Sequence, residues 1–307
     1  MIERIKKVIG WADEHRLVVV LTLLLLGTSW ALVRAGLFWK DFRDEVYPTV
    51  GVYEAEADAK LERMIAGEGP PLVIAHRGDH RFHYDNAIES FQRALDRGYD
   101  GVELDIVNTG EDIPVVAHDI NVGPDGKYFI PESTVDDITG WADTLPEDHG
   151  VRHRPLHEIF ERFGDEMVYV VELKADDDDA YGAEAAACRV IRQQGVEDVV
   201  ILASLKYHVI ETIAETPECD GIAYMYEWAK TEQAPTEDYA SPVFGVRHDL
   251  YSNREDQFPA STQAVSVYTP NWGFQIRRSM EQGALLVQTD QPGKAMRIRK
   301  ELAMVPE

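Results

Sequence analysis

The residues with catalytic potential in this sequence fall at the ends of short apolar runs. PLVIAH (71–76) brings His76 and is followed by Arg77 and Gly78, while VELDIV (102–107) carries Glu103 and Asp105. IPVVAHD (113–119) closes on His118 and Asp119, and MVYVVELK (167–174) closes on Glu172 and Lys174. In an extended strand, residues i and i+2 share a face, so Glu103 points with Asp105 and Glu172 with Lys174. Ionisable groups inside apolar strands are costly unless paired or metal-bound. Glu103, Asp105 and Glu172 are hard oxygen donors, suited to one divalent cation, Mg²⁺ or Ca²⁺. His76 and His118 titrate near neutrality and can serve as base and acid. Arg77 and Lys174 bring fixed positive charge for an anionic oxygen. These types together describe displacement at phosphorus, with cations neutralising the phosphoryl oxygens while imidazoles move protons. The same residues have a structural use: Arg77 paired with Glu103 or Asp105, Lys174 with Glu172, and both histidines in the core. Seven such groups at the same ends of the runs favour the chemistry.

Those ends must be brought together by the elements that carry them. Eight runs read as candidate strands: PLVIAH, DGVELDIV, IPVVAHD, MVYVVELK, DVVILAS, GIAYMY, AVSVYTP and ALLVQTD. They are apolar on both faces, as strands of a parallel sheet are. Amphipathic stretches such as AIESFQRALDRG, LHEIFERFG, AEAAACRVIRQQG and FQIRRSMEQG separate most of them. VELDIV and IPVVAHD are the exception, joined only by a turn around Asn108-Thr109-Gly110. Alternating strand and helix predicts an α/β fold, and eight units predict a (β/α)₈ TIM barrel over residues 71–307. In such a barrel the chemistry sits at the C-terminal ends of the strands. An open doubly wound sheet is disfavoured, because no glycine-rich phosphate loop follows the first run.

In order and spacing, HRG (76–78), DNAIESF (85–91), VELDI, VVAHD and VELK resemble the glycerophosphodiester phosphodiesterases, which are (β/α)₈ barrels of the phospholipase-C-like superfamily. The resemblance runs from residue 71 to residue 292 and includes PLHEIFERF and the closing QTDQP. It implies that His76 and His118 are the acid–base pair, that Glu103, Asp105 and Glu172 hold the metal, and that Arg77 and Lys174 bind phosphate. It also implies substrate contacts from Asn86 and from Ser204, which ends the fifth run. The family's Pro-Glu-Asn-Thr falls on Tyr84-Asp85-Asn86-Ala87, which keeps the acid and the asparagine but loses the proline and threonine. By the implied mechanism, the glycerol 2-hydroxyl attacks phosphorus, and water opens the resulting cyclic phosphate to glycerol 3-phosphate.

The rest of the chain limits partners and location. Of 307 residues, 30 are Lys or Arg and 55 are Asp or Glu, a net charge of −25. That excludes a nucleic-acid binder working by broad electrostatics and opposes contact with anionic membranes. Between Arg16 and Arg34 lie seventeen uncharged residues, which as a helix would span about 25 Å. With Phe38 and Trp39 beyond them, residues 17–39 read as a single-pass bilayer anchor after a short segment 1–16. An amphipathic helix over VYEAEADAKLERMIA and a linker fill residues 40–70. The slight excess of positive charge before the anchor predicts a cytoplasmic N-terminus and an extracytoplasmic catalytic domain, periplasmic in a bacterium. Cys188 and Cys219 are too few for a disulfide-dense scaffold and read as plain buried thiols.

Several other groups are weighed against blander uses. His149, His153 and His157 have helical spacing, but Gly150 and Pro155 interrupt it. His80 and His83 fit the substrate pocket better than a zinc site. Asp176 and the acids at 177–179 read as a solvated loop. Trp272 after the seventh run could pack, stack on a head group, or touch lipid. Three functions therefore stand: hydrolysis of glycerophosphodiesters, a lysophospholipase D reaction on membrane lysophospholipids, or a tethered binding protein without turnover.

Overall fold

The structure, a computed structural model, describes residues 55–145, 152–176, 180–229, 239–251 and 258–304. The runs richest in β-branched residues become strands that are buried along their whole length: β1 (Leu72–Ala75), β2 (Gly101–Asn108), and further on β6 (Val168–Leu173) and β7 (Val200–Ser204). Between β2 and β6 come three short strands, β3 (Pro114–Val116), β4 (Asn121–Val122) and β5 (Tyr128–Phe129). After β7 follow β8 (Ala223–Trp228), β9 (Val243–Arg247), β10 (Ala264–Tyr268) and β11 (Leu286–Thr289). The sheet runs β1-β11-β10-β9-β8-β7-β6-β2, all parallel, and the β1–β2 pairing closes it into an eight-stranded barrel.

Helices cover the barrel, and five of those among the described residues fall where amphipathic stretches predict them. In chain order they are α1 (Ala57–Ile65), α2 (Ile88–Asp96), α3 (Val135–Asp143), α4 (Leu156–Phe163), α5 (Ala183–Gln194), α6 (Tyr207–Glu215), α7 (Gly273–Glu281) and α8 (Pro292–Ala303). The core-facing stripes are mainly apolar, as in α4, which buries Leu156, Ile159, Phe160 and Phe163. Helix α1 closes the N-terminal end of the barrel, where Ala57, Leu61 and Met64 join the main core. There Lys60 lies 3.3 Å from Asp100, which also pairs with the buried Arg299. The folded unit therefore begins before residue 71.

Two strand assignments differ from the sequence pattern. IPVVAHD supplies no barrel strand: β3 pairs antiparallel with β2, Ile106 opposite Val116. The connection, residues 109–113, is a hairpin, whereas a parallel crossover needs about a dozen residues or more. The vacant barrel position is taken by β9, which the apolar-run pattern omits because Gly245 breaks it. That glycine is required, since a Cβ there would lie 2.9 Å from Glu227 Cγ on the neighbouring strand. Beyond β3 the chain forms a small lobe with its own core of Val107, Val115, Ala117, Val122, Ile130 and Ile138.

The cysteines are buried as expected, but they are a disulfide and not two thiols. Helix α5 packs against the short turn before β8, which brings Cys188 and Cys219 together over a sequence separation of 31 residues. The anchor expected over residues 17–39, His149 and the acids at 177–179 lie outside the described residues. Among the described residues no helix is long and apolar enough to cross a membrane.

Candidate active site

Arg77 follows β1 with φ 56°, and Gly78 continues the left-handed turn at φ 82°. A Cβ on Gly78 would fall 2.3 Å from Ser90 Oγ, so only glycine fits the turn. This bend lets the Arg77 amide donate to Glu103 Oε2 at 2.9 Å. The guanidinium lies 3.1 Å from Asp105 and 3.2 Å from Asp85. Asn86, also left-handed at φ 54°, clasps Asp105 from both sides. Its Nδ2 donates to Asp105 Oδ2 at 2.7 Å, and its Oδ1 accepts from the Asp105 amide at 3.2 Å. In the loop Tyr84-Asp85-Asn86-Ala87 the acid thus pairs with Arg77 and the asparagine with Asp105.

From β6, Lys174 Nζ reaches Glu172 at 2.7 Å and Asp105 at 2.8 Å. One oxygen from each of Glu103, Asp105 and Glu172 lies within 4.8 Å of the others, and all three residues are buried. Glu103 Oε1 is buried without a hydrogen-bond partner. An orphaned oxygen in a cradle of hard donors fits Mg²⁺ or Ca²⁺, which favour carboxylate ligands. The electrostatics agree. Burial, with Asp105 and Glu172 nearby, holds the Glu103 carboxyl well above the usual range, and burial raises Glu172 as well. Asp105 is low, because Lys174 and Arg77 outweigh its burial. Added positive charge would favour ionised Glu103.

His76 stands beside this cluster, with Nε2 3.8 Å from Glu103 Oε2. Its Nδ1 is 2.6 Å from Asp290 Oδ1, and Asn271 holds the other carboxylate oxygen. His118 is not at the end of a barrel strand, because β3 lies outside the barrel. It projects from the segment after β3, half-exposed, with Nδ1 2.8 Å from Asp119. Two cavities share it as a wall. One, of about 370 Å³, is also lined by Arg77, Asp85, Asn86, Trp141 and Arg152. The other, of about 510 Å³, is also lined by Glu172, Lys174, Ser204 and Lys206. Ser204 Oγ is engaged locally, donating to the Leu173 carbonyl at 3.0 Å and accepting from the Lys206 amide at 3.2 Å.

Thus His76, Arg77, Asn86, Glu103, Asp105, Glu172 and Lys174 come together, His118 and Ser204 line the adjoining cavities, and Trp272 does not join them. Trp272 is 68% exposed at the start of α7 and lines neither cavity. His80 lies 3.5 Å from Asp290 and lines neither cavity, and His83 is exposed. His153 stacks on Trp141 and pairs with the Val116 carbonyl.

The pattern of strand ends overlooks Glu227, because GIAYMY stops one residue short of it. Glu227 is buried on β8, accepts from Gln288 Nε2 at 2.6 Å, and is pushed up to about 8 by burial and by Glu172. Asp290, the acid of QTDQP, is the other omission. An acid closing an apolar run is the signal that both share with Glu172.

The family model described as glycerophosphoryl diester phosphodiesterase matches residues 76–294. A glycerophosphodiester phosphodiesterase from Caldanaerobacter subterraneus subsp. tengcongensis is 30% identical over 167 residues, covering 52% of this chain and 69% of that protein. One from Bacillus altitudinis is 25% identical over 247 residues, covering 75% and 98%. The crystal structure of a related protein from Silicibacter pomeroyi is similar with a TM-score of 0.65 at 19% identity, over 81% of this chain and 98% of that one. A phosphodiesterase from Oleispira antarctica, solved with the product sn-glycerol-3-phosphate, gives a TM-score of 0.58 at 20% identity, over 75% and 96%.

Proposed function

Because this chain belongs to the glycerophosphoryl diester phosphodiesterase family and is a phosphoric diester hydrolase, we propose that it releases glycerol 3-phosphate and an alcohol by histidine acid–base catalysis at the Glu103–Asp105–Glu172 centre. The observation that carries the mechanism is the buried carboxylate cradle with its orphaned Glu103 oxygen, flanked by two cations and His76. Glu103, Asp105 and Glu172 would hold a divalent cation, which would supply charge to neutralise phosphoryl oxygens. Arg77 and Lys174 hold the carboxylates in place and present donors to the same oxygens. Asp290 accepts from Nδ1–H of His76, which leaves Nε2, on the side of the carboxylates, to take or give a proton. His118, the wall shared by the two cavities, completes the acid–base pair. One imidazole deprotonates the glycerol 2-hydroxyl and the other protonates the leaving alkoxide; water then opens the cyclic phosphate by the reverse proton traffic.

Turnover of glycerophosphocholine by the full chain, with and without chelator, tests this reading. His76→Ala and His118→Ala should each lower kcat by about 10²–10⁴-fold with folding intact. Undiminished activity in both variants would overturn the assignment of the two histidines, whereas absence of turnover by the parent chain would leave a tethered binding protein as the better account. A second reading, head-group release from lysophospholipids, draws support from aromatic side chains exposed around the site.

We also place the catalytic domain outside the cytoplasm, anchored through residues 17–39. The charge bias before the anchor supports this, and so does the Cys188–Cys219 disulfide, a bond at home in oxidising compartments.

A further inference from the structure

Among the described residues, the exposed large apolar side chains are Phe82, Tyr84, Trp272, Phe274 and Met304. All but Met304 stand at one face. Phe82 and Tyr84 lie in the loop between β1 and α2, and Trp272 and Phe274 open α7 just after β10. Both loops follow the C-terminal ends of barrel strands, as the catalytic groups do. They meet at Asp290, which pairs with His76 from one loop and with Asn271, the neighbour of Trp272, from the other.

The exposure is large: 60% for Phe82, 68% for Trp272 and 70% for Phe274. Apolar side chains left in water around the mouth of a polar site mark an interaction surface more often than chance decoration. Basic groups stand beside them in a chain whose net charge is −25, among acids that pair with some of them: Asp79 with Arg93, and Asp85, next to Tyr84, with Arg77. Arg81 adjoins Phe82 and donates to the Gln291 side chain at 3.3 Å, Arg93 lies over the Phe82 ring at 5.2 Å, and Lys294 Nζ reaches the Asn271 carbonyl at 3.4 Å. Aromatic rings with basic groups beside them suit the headgroup level of a lipid surface, rings among the acyl chains and cations at the phosphates. A strongly anionic sheet would be repelled by the rest of the chain. A second copy of the same rim would set these cations against one another.

We propose that this rim docks the mouth of the barrel on a zwitterionic phospholipid surface, so that a lipid-borne phosphodiester reaches the site directly from the lipid. The proposal deepens the phosphodiesterase reading by assigning its substrate class, lysophospholipids carrying a phosphocholine-type head group.

Two measurements on the full chain test it separately from catalysis. In phosphatidylcholine vesicles with brominated acyl chains, the emission difference between the parent and Trp272→Phe isolates Trp272. That difference should fall at least about twofold relative to unbrominated vesicles; an unchanged difference overturns the proposal. In the second, the double variant Phe82→Ser/Phe274→Ser should lose about tenfold or more in kcat/KM on micellar lysophosphatidylcholine while keeping its rate on soluble glycerophosphocholine. Equal effects on both substrates overturn the lipid assignment. Should the parent turn over neither substrate, the phosphodiesterase reading fails on its own and the quenching result still decides whether the rim meets lipid. A concentration-dependent dimer that the double variant abolishes, with Trp272 unquenched, would assign the rim to self-association instead.

Discussion

Glu103 and Glu227 show how burial tunes acids of the same type for different tasks. Glu103 faces the carboxylate cradle with one oxygen unpartnered, so its replacement should be felt first as lost metal affinity. We expect Glu103→Gln to weaken Mg²⁺ or Ca²⁺ binding by about tenfold or more in calorimetry, with little change in melting temperature in chelator. Glu227 titrates near 8 in the folded protein, against an ordinary value of 4.5. The folded state therefore keeps this proton where the unfolded chain releases it. Its stabilising effect is complete below the ordinary value and is lost as pH rises towards 8. In chelator, Glu227→Gln should gain about 3–5 kcal/mol relative to the parent between acidic pH and pH above 8, read from denaturant midpoints. A flat difference across that range would show Glu227 to be solvated. Asp290 acts through His76, so Asp290→Asn should lower kcat by about 10²–10³-fold with KM little changed. The spacing of Glu103 with Asp105 made one shared face legible from the sequence, because alternation along a strand is local. The His76–Asp290 pair spans a sequence separation of 214 residues, and no local pattern carries such a contact.

At the level of elements, periodicity located the helices well, and α2, α4, α5 and α7 fall where amphipathic stretches predict them. It also indicated eight strands in the barrel, yet which runs supply them was decided by connection length and by one glycine. The turn after Asn108 was visible, and its shortness is the physical reason that β3 folds back antiparallel on β2. Gly245 hid β9 because hydropathy scores the missing side chain as a break, whereas packing needs that gap for Glu227. Gly245→Ala should accordingly cost about 1–3 kcal/mol in chemical denaturation, through overpacking against Glu227. The Cys188–Cys219 bond was not legible either, since two cysteines with 31-residue separation carry no information on pairing. Replacing both by serine should cost about 2–4 kcal/mol and leave kcat unchanged, because the bond joins α5 to the turn before β8, away from the strand ends that carry the site.

For the molecule as a whole, the site sets cations among carboxylates within an acidic chain. Against a net charge of −25 over the chain, the mouth of the barrel brings Arg77, Lys174, Arg81 and Lys294 together with the acids Asp85, Asp105, Glu172 and Asp290. Helix α1 adds a polarity of its own. It closes the barrel at the N-terminal ends of the strands, so the chain joins the folded unit at the pole farthest from the carboxylates. On the proposal that residues 17–39 are an anchor, a tether entering ahead of α1 would limit how far the folded unit can wander, but it would not dictate which way the mouth of the barrel faces. On that proposal restraint and aim would be separable, like the cord and the needle of a compass: cutting the chain ahead of α1 would release the folded unit without blunting its chemistry, and only the mouth's own side chains could turn it towards a lipid.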